Sequence, residues 1–382
     1  MKKIAVVTAT RAEYGILTPL IRAINDDPEL ELELIVTGTH LSEKHGYTKK
    51  FIEADGFPIA CEIPILEKGN TPFDISVTMA NAIRGSAERF REERPDMVII
   101  LGDRTEMLGI ASAAMNERIP IAHLHGGEVT QGAVDDCVRH ALSKMSYLHF
   151  TSTEVYRKRV IQLGEAPERV FFVGALSTEN ILKAPLIGET QIRAEAGITA
   201  DMPYAVVTFH PVTLEAGSAK EQTLALCRAM EQRSEYFYLI TMANSDAGGD
   251  TVNGVFAQFA DAHENVRLVA SLGMTRYLSA VKYAQFVLGN SSSGIVEAPV
   301  LGTPTVNIGD RQRGRLMADT IINCKPDTES IVSAIDSAEN TQHVPTLMYG
   351  DGETSGKIVS VIKEWLMNGK IDLKKKFYDI GV

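Results

Sequence analysis

Gly289-Asn-Ser-Ser-Ser-Gly-Ile-Val-Glu-Ala-Pro299 follows a short apolar run, residues 284–288, and reads as the hand-over from a buried strand to a helix. Serines at such a start present hydroxyls and free backbone N–H groups at the positive end of the helix dipole, which suits a phosphate. Ser291, Ser292, Ser293 and Gly294 supply this cradle, and Glu297, one turn further on, is placed to accept the hydroxyls of a ribose. An ordinary capped strand–helix turn uses the same residues, since serine is a favoured N-cap. The neighbouring sequence has to decide between the two.

Upstream and downstream of this turn, short Val/Ile-rich runs alternate with amphipathic segments, the pattern of parallel sheets flanked by helices. The first series of expected strands is 4–9, 32–37, 59–65, 97–102, 119–124, 147–151 and 170–173, with helices such as 75–91 and 134–145 between them. Residues 182–188, which include Pro185 and Gly188, interrupt the alternation. A second series follows at 204–209, 236–241, 266–269, 286–288 and 305–308. The expected fold is α/β: two Rossmann-like doubly wound domains facing each other across a cleft, at 1–183 and 184–353. Residues 354–382 form a helix and basic tail that pack back on the first domain.

With 382 residues, 45% hydrophobic and 23% charged, the composition is that of a globular protein of two domains. The N-terminal apolar run is too short for an export signal, so a cytoplasmic location is expected. Cys61, Cys137, Cys227 and Cys324 form no Cys-x-x-Cys pair and suggest neither a disulfide framework nor a zinc site. A net charge of −11 argues against nucleic acid or an anionic membrane as partner. Any anionic ligand must be held by locally placed arginines and amides. Asp351-Gly-Glu-Thr-Ser-Gly-Lys357 mimics a phosphate-binding loop but lacks the first glycine and the final Ser/Thr, and reads as a helix start.

Several strands end in polar turns. The first leads into Thr8-Ala-Thr-Arg-Ala-Glu-Tyr-Gly15, which has no G-x-G-x-x-G, so NAD is not expected, whereas Arg11 can pair with a diphosphate. The fourth delivers Gly102-Asp103-Arg104, an acid placed for proton transfer or for capping a helix. The fifth empties into His123-Leu-His-Gly-Gly-Glu128, followed by Asp135-Asp136-Cys-Val-Arg139-His140. If His123 and His125 both lie on the strand they share one face, which would suit a metal. The other reading is a metal-free site, with acids moving protons and Arg139 orienting an anion. In the second half, Phe209-His210-Pro-Val-Thr213, Asn244, Ser271-Leu-Gly273 and Asp310-Arg311-Gln-Arg313-Gly-Arg315 also follow strands. His210 and Arg311 suit a phosphate, and Asn244, Ser271 and Gly273 the edge of a base.

Taken in order, these motifs resemble the hydrolysing UDP-N-acetylglucosamine 2-epimerases of sialic and legionaminic acid biosynthesis, over residues 1 to about 365. The resemblance implies a glycosyltransferase-B fold and a nucleotide-sugar substrate. It also implies release of the C2-inverted sugar and nucleoside diphosphate through a glycal, with no NAD, no essential metal and a homodimeric enzyme. It assigns acid/base work to Asp103 and Asp135, and diphosphate contacts to Arg11, His210 and Arg311. Phosphate falls to Ser291 and Ser292, and ribose to Glu297. Many members carry an acid two residues after the first histidine, where this chain has His125; either His125 or Glu128 takes over that proton transfer. Three alternatives stay open: a glycosyltransferase of the same fold, a metal-dependent hydrolase built on His123, His125 and Asp103, and a nucleotide-sugar sensor.

Overall fold

The computed structural model describes residues 1–69, 71–129, 134–198, 202–211, 219–243 and 249–381. The chain divides into two compact units, Met1–Asn180 together with Tyr349–Val382, and Ile181–Met348. Each is a parallel sheet covered by helices.

The first unit carries β1 (Lys2–Thr8), β2 (Leu30–Thr37), β3 (Ile59–Ile63), β4 (Met97–Leu101), β5 (Ile121–Leu124), β6 (Leu148–Thr151) and β7 (Val170–Phe172). Their spatial order is β3-β2-β1-β4-β5-β6-β7, so the chain reverses its winding between β1 and β4. Every residue of β4, β5 and β6 is buried, which is why these runs are largely apolar rather than alternating, with His123 and His149 as buried polar exceptions. A helix, Thr354–Met367, returns to this unit and adds Ile358, Val359 and Ile362 to the core around β1.

The loop that mimics a phosphate site opens this returning helix. Its N-terminus is already occupied by an internal acid: the Ser355 N–H and hydroxyl each donate to the buried Glu179 carboxylate at 2.6 Å. The basic end is also anchored. Lys375 donates to the carbonyls of Lys144 and Ser146 at 2.7 Å, and to Glu165 at 2.8 Å.

The second unit carries β8 (Tyr204–Thr208), β9 (Phe237–Thr241), β10 (Val266–Val269), β11 (Phe286–Gly289), β12 (Thr305–Ile308) and β13 (Ile321–Cys324). The order β10-β9-β8-β11-β12-β13 places its reversal between β8 and β11. Strand β13 is absent from the sequence-based expectation; only Ile321 of its four residues is buried, so it lacks the apolar run that marks the others. Open α/β sheets bind ligands beyond the carboxyl ends of the strands at such reversals. Among the described residues no helix is long and apolar enough to cross a membrane.

Candidate active site

In the first unit the reversal point gathers the ends of β1, β4 and β5. Thr10 caps the helix Arg11–Asn25 by accepting from the Glu13 N–H at 3.2 Å. Arg11, the first residue of that helix, is exposed, with its guanidinium 4.1 Å over the Phe51 ring. Asp103, just beyond β4, is bonded to Arg139 from the helix Val134–Met145. Arg139 is 4% exposed and also donates to the Glu128 carbonyl and the Asp136 carboxylate, both at 3.0 Å. Arg104 turns the other way and donates to Glu106 at 2.6 Å. Asp135 is exposed in the first turn of the Arg139 helix, close enough for its charge to act on Arg104.

The two histidines do not share a strand face. His123 lies on β5, fully buried; its Nε2 is 2.7 Å from the Gly102 carbonyl and its Nδ1 3.2 Å from the Ser143 hydroxyl. Burial holds its pKa down to about 4, so it is a neutral structural ring near pH 7. His125 has left the strand: its φ is +63, a left-handed conformation that non-glycine residues rarely adopt. The period-two argument for a paired-histidine metal site therefore fails, because the chain turns between the two rings.

His125 instead joins the residue set against it as an alternative. Its Nδ1 lies 3.2 Å from Glu128 Oε1, which also accepts from the Ser152 hydroxyl at 2.9 Å. A carboxylate at this distance can accept from Nδ1, which makes Nε2 the ring nitrogen open to another partner. Nε2 is buried and meets no hydrogen-bond partner among the described residues. The Gly-Gly turn between them packs tightly: a Cβ on Gly127, at φ +80, would sit 2.4 Å from the Tyr156 carbonyl oxygen.

The second unit builds its reversal point around Asn290, a residue the sequence reading passed over as a chain break. Its side chain spans the gap between β11 and β8, accepting from the His210 N–H at 2.7 Å and donating to the His210 carbonyl at 2.8 Å. Its own carbonyl accepts from Arg311 at 3.2 Å and Gln312 at 2.9 Å. One buried amide thus positions His210, Ser291 and Arg311 relative to one another. Ser291 is the N-cap of the helix Ser292–Leu301 and accepts from the Ser293 N–H at 3.3 Å; Ser292 is exposed and Gly294 buried in its first turn. The Ser293 hydroxyl donates to Glu297, whose carboxyl burial pushes above its ordinary range, partly offset by that hydrogen bond.

Beside this helix start lies a cavity of about 380 Å³ lined by Ser271, Gly273, Tyr277, Ser293 and Glu297 among others. Arg313 and Arg315 point to solvent. Asn244 and Thr213 lie outside the described residues.

Gly289 closes β11 with φ +139, and a Cβ there would meet the Thr208 carbonyl oxygen at 2.0 Å. Gly289→Ala should therefore lower the unfolding free energy by on the order of 3 kcal/mol. Denaturant titration checks this; an unchanged midpoint would mean that the strand ends are not packed this closely.

A profile of the family described as UDP-N-acetylglucosamine 2-epimerase matches residues 22–363. The chain is 37% identical over 383 residues to GDP/UDP-N,N'-diacetylbacillosamine 2-epimerase (hydrolyzing) of Campylobacter jejuni, covering 99% of each. It is 33% identical over 372 residues to UDP-N,N'-diacetylbacillosamine 2-epimerase (hydrolyzing) of Legionella pneumophila, covering 97% of this chain and 98% of that one. In fold it is similar to the UDP-GlcNAc 2-epimerase of Neisseria meningitidis solved with UDP-GlcNAc bound, with a TM-score of 0.77 at 16% identity, covering 95% of this chain and 100% of that one. The chain belongs to the UDP-N-acetylglucosamine 2-epimerase family.

Proposed function

We propose that the protein is a hydrolysing 2-epimerase acting on a nucleoside-diphosphate 2-acetamido sugar, with N,N'-diacetylbacillosamine as the sugar. The observation that carries the reading is the first unit's proton-transfer set, in which Asp103 is held by Arg139 and His125 by Glu128. A base takes the proton from C2 while the C1–O bond breaks and its electron pair leaves with the diphosphate, giving a glycal. Water then adds its oxygen to C1, and C2 receives a proton on the opposite face.

His125 Nε2, buried and without a partner among the described residues, is the atom that abstracts the proton. Asp103 and the exposed Asp135 are the further acid/base groups. In the second unit, Ser291, Ser292, His210 and Arg311 hold the diphosphate, where negative charge grows as C1–O breaks and fixed donors stabilise it most. Arg11 and Arg104 are the candidate substrate-binding cations of the first unit. Glu297 takes the ribose hydroxyls and Ser271–Gly273 the base.

The choice of sugar rests on the names of the relatives at 37% and 33% identity. Incubation with UDP- and GDP-linked diacetylbacillosamine and with UDP-N-acetylglucosamine, followed by NMR of the products, tests it. Free C2-inverted diacetylated sugar formed fastest supports the reading. Preference for UDP-N-acetylglucosamine corrects the sugar, and transfer only on addition of an acceptor refutes hydrolysis. Glu297→Ala should weaken UDP binding roughly tenfold to a hundredfold, the worth of one or two hydrogen bonds to a charged group. Calorimetry with an unaltered Kd would remove Glu297 from the ribose site.

A further inference from the structure

Glu13 is 8% exposed in the first turn of the helix Arg11–Asn25 and takes no part in the chemistry above. One carboxyl oxygen, Oε2, accepts from the Ala9 N–H and the Thr10 hydroxyl, both at 3.2 Å. The other, Oε1, is buried and has no partner among the described residues. An ionised carboxylate with a bare buried oxygen is costly, so the neutral acid is favoured there.

Across from it, Arg104 Nε lies 2.6 Å from Glu106 Oε1 and 4.0 Å from Glu13 Oε2, so one guanidinium is shared by two carboxyls. With Glu13 neutral the charges of Arg104 and Glu106 cancel; with Glu13 ionised the cluster is negative, and Arg104 is drawn inward between two acids.

We propose that Glu13 is a positioning residue for Arg104: its buried carboxyl takes a proton from solvent when Arg104 engages an anionic group of the substrate, and returns it when the site empties. This rests on the reading of Arg104 as a substrate-binding residue. Burial pushes the Glu13 carboxyl up to about 7, with Arg104 opposing and Glu106 reinforcing the rise, so the exchange falls near neutrality.

The other charged group acting on this cluster is Asp135, from the helix Val134–Met145, which acts on Arg104. His40, packed against the same strand end, bonds Thr8 at 3.0 Å and Thr48 at 2.8 Å, and burial holds its pKa down to about 4. It contributes no charge near pH 7. The sign follows. Above neutrality Glu13 is ionised, the cluster repels an anion and affinity falls; below it, affinity is full.

Thr10-x-x-Glu13 also matches a helix capping box, which glutamine serves as well as glutamate. Glu13→Gln therefore keeps the cap and deletes the titration. Calorimetry of UDP binding to the full-length protein at about pH 7.5, in buffers of low and high ionisation enthalpy, counts the protons taken up. Wild type should exceed Glu13→Gln by a substantial fraction of a proton. The KM of the nucleotide sugar, whose diphosphate diester does not titrate here, should rise roughly tenfold between about pH 6 and about pH 8.5 in wild type and stay flat in the variant.

Equal proton uptake in the two proteins, with turnover intact, overturns the role of Glu13 and leaves the epimerase reading standing. Differential uptake without turnover of any nucleotide sugar does the reverse. No UDP binding at all overturns both.

Discussion

Replacing Asp103 by Asn is expected to lower kcat by roughly 10²- to 10⁴-fold, the usual range for losing one general acid or base. UDP affinity should change little, because the nucleotide groups of the second unit are untouched. The fold should survive, since Arg139 keeps the Asp136 carboxylate and the Glu128 carbonyl at 3.0 Å and an amide oxygen can still accept from it. Steady-state kinetics with product detection, alongside calorimetry with UDP, separates the two effects. Unchanged turnover would remove Asp103 from the proton-transfer set, and lost UDP binding would mark it as a binding residue instead.

The second large effect concerns His125 and Glu128. Because His125 Nδ1 and Glu128 Oε1 lie 3.2 Å apart, the two side chains are expected to work as one unit and their removal not to be additive. His125→Ala should reduce turnover by about 10²- to 10⁴-fold. Glu128→Ala should cost a large part of the same factor, and the double variant little more than His125→Ala alone. Multiplicative losses would show that the two act independently. A Glu128→Ala loss far exceeding that of His125→Ala would make the carboxylate itself the base, with the imidazole only its support.

The α/β architecture was legible because β4, β5, β6, β8 and β9 are buried on both faces and so are written as short, mostly apolar runs. Polar turns at the ends of those runs were equally visible, and the residues read from them stand at the carboxyl ends of the strands. Strand β13 escaped because only one of its residues is buried and its identity as a strand comes from pairing with β12.

Pattern reasoning failed at His125, where alternation along a strand was extended one residue past the point at which the backbone turns left-handed. It could not decide between His125 and Glu128 because their contact depends on that same turn. Asn290 was overlooked because its partners on the β8 side lie eighty residues away in sequence. Glu13 was passed over because the residue that gives it a role, Arg104, lies far away in sequence, beyond β4.

Proton removal at C2 during departure of the diphosphate is the central proposed step. Running the reaction with the nucleotide sugar in deuterated water and examining the released sugar by NMR tests this most directly. The prediction is one solvent deuterium at an inverted C2, appearing in step with free nucleoside diphosphate and reduced together with turnover in Asp103→Asn. A released sugar that keeps its original C2 configuration and its original hydrogen would contradict it.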